Sequence, residues 1–349
     1  MTNEERVRAS FSEQAAYCER LSSVFMRDLL NGLAEHLDHT SQTGFQILNW
    51  QGNPEPKEDA LALRVAGALH DLARSGDDPV LSKYYESPQH SDDRDFIPAV
   101  LNAISEFDDR LWPWLKFAPQ TNEVRRTAAL LPGFLTIARA TGLPLWLSEL
   151  GCSAGLNLLW DQFRVTLDGQ HHGPGGSTVE ITPEWRGTPP PVGKVSVVGR
   201  RGVDLNPLDV SRPFVADRLM AYIWPDQADR LQRTQAAIEL FNQFSPGIDQ
   251  GDAVTWLETR LGAQPAGACH VVYHTIAWQY FPAQAQARGA AMLAKAGEMA
   301  TAQTPLAHLA MEADGAGPGA KISLTIWPGG DARVLGRADF HGRWVEWAG

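Results

Sequence analysis

From Gly142 onward, short apolar runs that stop at glycine, proline or an acid alternate with stretches of helical periodicity. This alternation constrains the fold more than any other feature. Parallel strands covered on both faces read as near-continuous apolar runs, and they need long crossovers between them. LPLWLSE, VSVVGRRGVD, ACHVVYHTIAW, LAHLAMEA and KISLTIW are the strand candidates. LNLLWDQF, residues 226–244, the middle of GDAVTWLETRLG and residues 282–302 carry helical spacing. WPGGDARVLGRADFHGRWVEW reads as an antiparallel ending, and the hairpin-like pieces RVTLDG and STVEIT mark an insertion near 165–195. The prediction for 141–349 is an α/β sheet with helices on both faces.

Residues 1–140 have a different character. Thr2 and Glu5 form a capping-box start, and Val7, Phe11, Ala15, Cys18, Leu21 and Phe25 recur at helical spacing. Residues 46–50 read as an apolar break. Residues 59–75 resume the helical period and stop at Gly76, and 93–115 and 122–140 follow as helices that Pro113 and Pro132 interrupt or cap. The expectation is a helical N-terminal domain over 1–140, acting as a lid over the strand ends, with HDLARSGDDPVLSKYY on its substrate side.

Composition excludes several classes. The 349 residues carry a formal net charge of −11, which opposes a phosphate backbone, so no nucleic-acid partner is expected. Cys18, Cys152 and Cys269 make neither a disulfide framework nor a zinc pattern. MTNEERVRASF has no apolar core of the signal-peptide kind. The charge-free stretch 261–287 contains Pro265, Pro282 and several polar residues, which argues against a membrane span. The expectation is a soluble cytoplasmic protein with no membrane partner.

ELGCSAGLN lies at a strand-to-helix turn, where glycines admit a tight backbone and a helix start offers free N–H groups. Two chemistries compete for it. Glu149, Gly151, Ser153 and Gly155 suit a cofactor-binding loop. Gly151 to Gly155 also fits the G-x-S-x-G nucleophile elbow, with Ser153 as nucleophile and Asp252 and His274 as downstream partners. The next acid along such a sheet holds ribose hydroxyls. Asp204 in GVDLNP is preferred for that role over Asp168 in RVTLDG, which reads as a hairpin turn with Gly169. Asp252 suits either an adenine amine or a helix N-cap. His274, Trp278, Gln279 and Tyr280 leave a buried strand where substrate contact or proton transfer takes place. A metal is not expected. His270 and His274 are four strand residues apart, roughly 13 Å, and His171–His172 has no evident third ligand.

ELGCSAG, GVDLNP, GDA and VVYHTIAWQYFP follow one another in the order of the motifs of S-adenosylmethionine-dependent methyltransferases, and the antiparallel ending resembles that fold. RRTAALLPGF, LPLWLSELGCSAGLNLLWDQF, RGVDLNPLD, WPDQADR and WQYFP further resemble a bacterial family known as a domain of unknown function. The resemblance implies a Rossmann-like methyltransferase sheet whose last strand inserts antiparallel. It implies S-adenosylmethionine as cofactor, with Glu149, Gly151, Ser153 and Gly155 at its methionine end, Asp204 at the ribose and Asp252 at the adenine. His274 and Tyr280 would face the transferred methyl, and the acceptor would be a small molecule. Ser153 departs from the family pattern, which has glycine there, and the ribose acid comes late. Three readings follow: a methyltransferase, a non-catalytic binding module of that fold, and a serine hydrolase using Ser153.

Overall fold

The computed structural model describes residues 2–349 and divides into two compact units, 2–121 with 212–232, and 122–211 with 233–349. In chain order the first helices are α1 (Asn3–Arg20), α2 (Val24–His36), α3 (Gln42–Leu48), α4 (Leu61–Ser75), α5 (Pro79–Glu86), α6 (Phe96–Glu106) and α7 (Asp108–Trp114). Helix α8 (Thr127–Thr141) leads into strand β1 (Leu145–Leu150). Four short strands follow: β2 (Arg164–Leu167), β3 (Gln170–His172), β4 (Glu180–Ile181) and β5 (Glu184–Gly187). Then come β6 (Val197–Asp204), α9 (Pro213–Ala221), α10 (Ala228–Phe244), β7 (Gly247–Gln250), α11 (Ala253–Leu261), β8 (Cys269–Thr275) and α12 (Ala283–Glu298). The chain closes with β9 (Leu306–Glu312), β10 (Ala320–Trp327), β11 (Asp331–Ala338) and β12 (Trp344–Trp347).

The first unit is a helical bundle whose core is the apolar stripe of α1, α2, α4 and α6, joined by Ala221 and Tyr222 at the end of α9. The capping box of Thr2 with Glu5 starts α1, and Gly76 in a left-handed conformation ends α4. Residues 46–50 are not an extended break: α3 runs through most of them, started by the Ser41 side chain on the Gly44 amide.

The second unit is a mixed α/β structure built on a nine-stranded sheet in the order β5-β12-β11-β10-β9-β8-β1-β6-β7. The strands from β7 to β9 pair in parallel, and β9 to β12 form an antiparallel meander. The meander differs from the expected ending, because β10, β11 and β12 are laid down one beside the next and no strand inserts between earlier neighbours. β8 is buried at every residue, as a central parallel strand must be. β2, β3 and β4 form a separate small sheet in which Asp168 and Gly169, both at positive φ, make the β2–β3 turn.

Helix α8 belongs to this unit and not to the helical one. Ten of its residues from Thr127 to Ile137 are buried, and a Cβ at Gly133 would meet Leu309 of β9 at 2.6 Å. A helix apolar all round is a core helix, and Pro132 sits inside it without ending it.

Candidate functional site

The chain leaves β1 for β6 and β7 on one side and reaches β8 and β9 on the other, so the order of strands reverses at β1. Crevices beyond the carboxyl ends of strands at such a point are the usual ligand sites of open α/β sheets. Here the loop after β1 turns through three left-handed residues, Gly151 (φ 69°), Ser153 (φ 54°) and Gly155 (φ 69°). Gly151 and Gly155 tolerate this freely, while Ser153 is strained. A Cβ on Gly151 would lie 2.6 Å from the Ala277 Cβ, so the exit of β8 presses directly on this loop.

The loop is stitched to β6. The amides of Gly151 and Cys152 donate to the Val203 carbonyl at 2.9 and 3.0 Å, and the Ser153 amide donates to Asp204 Oδ2 at 2.8 Å. Asp204 Oδ1 accepts from the Asn206 amide at 2.9 Å. Each carboxylate oxygen keeps a further lone pair, and the residue is half-buried. The Ser153 hydroxyl is buried and has no hydrogen-bond partner. Beyond Gly155 the chain does not form the expected α-helix. Leu156–Gln162 is a 3-10 stretch kinked at Leu159, because β2 begins only two residues later.

Beneath the loop, Glu149 is 2 % exposed. Burial pushes its carboxyl up to about 8; Tyr273 and Arg126 oppose this, and the Asp204 charge adds to it. Tyr273 Oη donates to Glu149 Oε2 at 3.2 Å and lies 3.3 Å from the Asn157 carbonyl. Asn157 is itself buried, its amide donating to the Glu123 carbonyl at 3.3 Å. Arg126 caps the β8 end, its guanidinium donating to the Phe340 and Thr275 carbonyls at 2.9 and 3.4 Å.

The exit of β8 is the second strained turn. Ile276 has φ 48°, which a β-branched residue rarely adopts. One carboxylate holds that turn. Glu312, at the end of β9, lies 2.7 Å from His274 Nδ1 and accepts from the amides of Ala277 and Trp278 at 3.0 and 3.1 Å. Burial alone would raise Glu312, but the hydrogen bond and charge of His274 and these amides hold it below the usual carboxylate range. His274 Nε2 lies 2.9 Å from His308 Nε2, and its ring stacks on Trp278 at 4.9 Å. Burial drives His308 down to about 3, so it is neutral at physiological pH.

His274 therefore has both ring nitrogens engaged, with Glu312 on one side and His308 on the other. Asp252 caps α11, its Oδ1 accepting from the Thr255 amide at 2.8 Å. With Ser153 Oγ unpartnered, the triad of Ser153, Asp252 and His274 is not assembled. Tyr280 is 75 % exposed, and Asp168 sits in its hairpin turn. Among the described residues no group of three His, Cys, Asp or Glu side chains is placed to hold a metal ion. Among the described residues no helix is long and apolar enough to cross a membrane.

Sequence reasoning missed Tyr273, Asn157, Glu312 and His308. One signal for Glu312 was present. An acid closing a buried apolar strand marked Glu149 in LWLSE, and LAHLAME ends the same way.

The fold and this edge define a mixed α/β protein whose largely parallel sheet carries a glycine-rich turn and acids at its strand tips. A family model described as "Uncharacterized protein conserved in bacteria (DUF2332)" matches residues 8–347, and the chain belongs to that family. No curated protein and no solved structure matches it.

Proposed function

We propose that the chain binds S-adenosylmethionine along the carboxyl ends of β1, β6 and β7 and is a methyltransferase acting on a small-molecule acceptor. The observation that carries this reading is the β1 exit: a loop with three left-handed residues, tied to Asp204, pressed against Ala277, and holding one buried hydroxyl without a partner. The reversal of strand order at β1 is consistent with a Rossmann-like sheet.

The residues present fit the cofactor's chemistry. Asp204 has an unused lone pair on each oxygen for the two ribose hydroxyls. Leu205, 63 % exposed beside it, offers apolar surface to a flat base. Asp252, already capping α11, would lie by the adenine amine. Gly151, Gly155 and the Ser153 hydroxyl would line the methionine end. When bound, the cofactor supplies an electrophilic methyl carbon open to in-line displacement.

The chain's own groups do the remaining work. Glu149 is largely protonated near neutrality and gives up its proton when an ammonium group approaches, so charge enters the buried site only with its counter-charge. Glu312 and His274 hold the β8 exit turn, and Tyr280 is free to meet an acceptor. The protein chiefly positions the reacting groups and excludes water.

Calorimetric titration of the full chain with S-adenosylmethionine and S-adenosylhomocysteine tests the reading. Saturable binding that Asp204→Ala weakens at least about tenfold, or 1.4 kcal/mol, is expected. A folded sample that binds neither compound refutes it.

A further inference from the structure

The helical unit contains a cavity of about 760 Å³ lined by the end of α4, by α7 and the residues after it, and by α9. That volume is in the range of small-molecule sites.

Three aromatic side chains line the cavity: Trp114, Phe117 and Phe214. The Phe117 and Phe214 rings meet edge to face at 6.0 Å, and Phe214 is 52 % exposed, a large apolar surface that the fold leaves uncovered. Trp114, 4 % exposed, completes the aromatic lining.

The charges of the lining favour an anion. Of the two acids in the lining, Asp71 is already bound by Arg110 at 2.8 Å, which leaves Asp217. Against it stand Arg74 and Lys116, both exposed in the lining and without an ion-pair partner among the described residues. Beside them the Arg218 guanidinium lies over Phe117 at 4.3 Å and Phe214 at 5.9 Å. Arg218 is partly buried, and no carboxylate offsets that burial. A cationic rim around aromatic faces in a chain of net charge −11 is a local reversal of sign.

We propose that this cavity is a binding site for a small aromatic carboxylate, its ring against Phe117 and Phe214 and its anionic end toward Lys116 and Arg74. This proposal does not depend on what the β1 edge binds.

The probe is 2-naphthoate, titrated calorimetrically into the full chain, with 2-naphthylmethylammonium as the cation of matching shape. Lys116→Glu and Phe214→Ala change exposed positions and leave the helical core intact, which thermal unfolding verifies. The expected result is saturable binding of naphthoate at one site per chain, weakened about tenfold or more by each variant, with the cation bound far more weakly. Absence of saturable naphthoate binding would overturn the proposal. So would binding that both variants leave unchanged, or a cation that binds as tightly as the anion.

Discussion

The Ser153 amide donates to Asp204 Oδ2 at 2.8 Å, which makes the loop after β1 and the tip of β6 a single construction. The same carboxylate proposed to hold a ligand also holds the loop that would surround it.

Asp204→Ala should therefore act twice. It strands the Ser153 and Asn206 amides and should cost about 1–3 kcal/mol in denaturant unfolding. It should also weaken S-adenosylmethionine binding beyond what that destabilisation explains. Asp168→Asn, in a hairpin turn that asparagine tolerates, should leave both measurements unchanged. If Asp168 were the variant that mattered, the ribose assignment would move to it.

Stability should peak near pH 6.5. His70, His270 and His308 are held at about 3 by burial, against 6.5 when unfolded. Between these values the unfolded chain binds more protons, so stability falls as pH drops from 6.5 toward 3. Glu149 has the opposite sign. Its carboxyl is raised to about 8 from 4.5, so the folded chain binds the extra proton and stability falls as pH rises through 8. Above pH 6.5 only Glu149 of these four acts, with a slope of up to about 1.4 kcal/mol per pH unit. Urea unfolding from pH 5 to 9 reads this directly, and Glu149→Gln should flatten the alkaline decline. A variant with the wild-type slope would show that another group causes it.

Binding of S-adenosylmethionine should release a proton at pH 7, because an ammonium beside Glu149 favours its charged form. Calorimetry in buffers of different ionisation enthalpy measures that release, and Glu149→Gln should abolish it. Equal heats in all buffers for the wild-type chain would place the ammonium elsewhere.

Glu312 gathers His274 and the amides of Ala277 and Trp278 onto one oxygen. Glu312→Ala leaves these buried donors without an acceptor and should cost about 3 kcal/mol or more, while Glu312→Gln keeps one oxygen and should cost less than half as much. The His274 and His308 ring signals in NMR should shift in both variants. A loss under about 1 kcal/mol for the alanine variant would show that water replaces the carboxylate.

Gly151→Ala places a Cβ 2.6 Å from that of Ala277 at φ 69°, so either the loop or the β8 turn must move. Left-handed strain alone costs about 1 kcal/mol, and ligand binding should fall further than stability does. Gly76→Ala, equally left-handed but with open space around it, should show the strain without the binding loss.

Much of the second unit was legible in the sequence. LWLSE and CHVVYHT are strands because buried parallel strands are apolar on both faces, and GCSAG is a turn because left-handed positions favour glycine. Asp168 beside Gly169 was legible as a hairpin for the same reason. The helix expected after Gly155 failed because local periodicity does not register a strand beginning two residues later. The helix at 122–140 was legible, but its place in the sheet unit was not.

The sequence by itself determined which segments become strands, which turns need glycine, and that acids close β1 and β6. Tertiary structure alone decided that Tyr273 meets Glu149 while its neighbour His274 turns to the opposite face and meets Glu312, 38 residues further on. Alternation along a strand tells which side chains share a face. What they touch depends on which strand lies alongside, and that is decided by burial of the whole sheet.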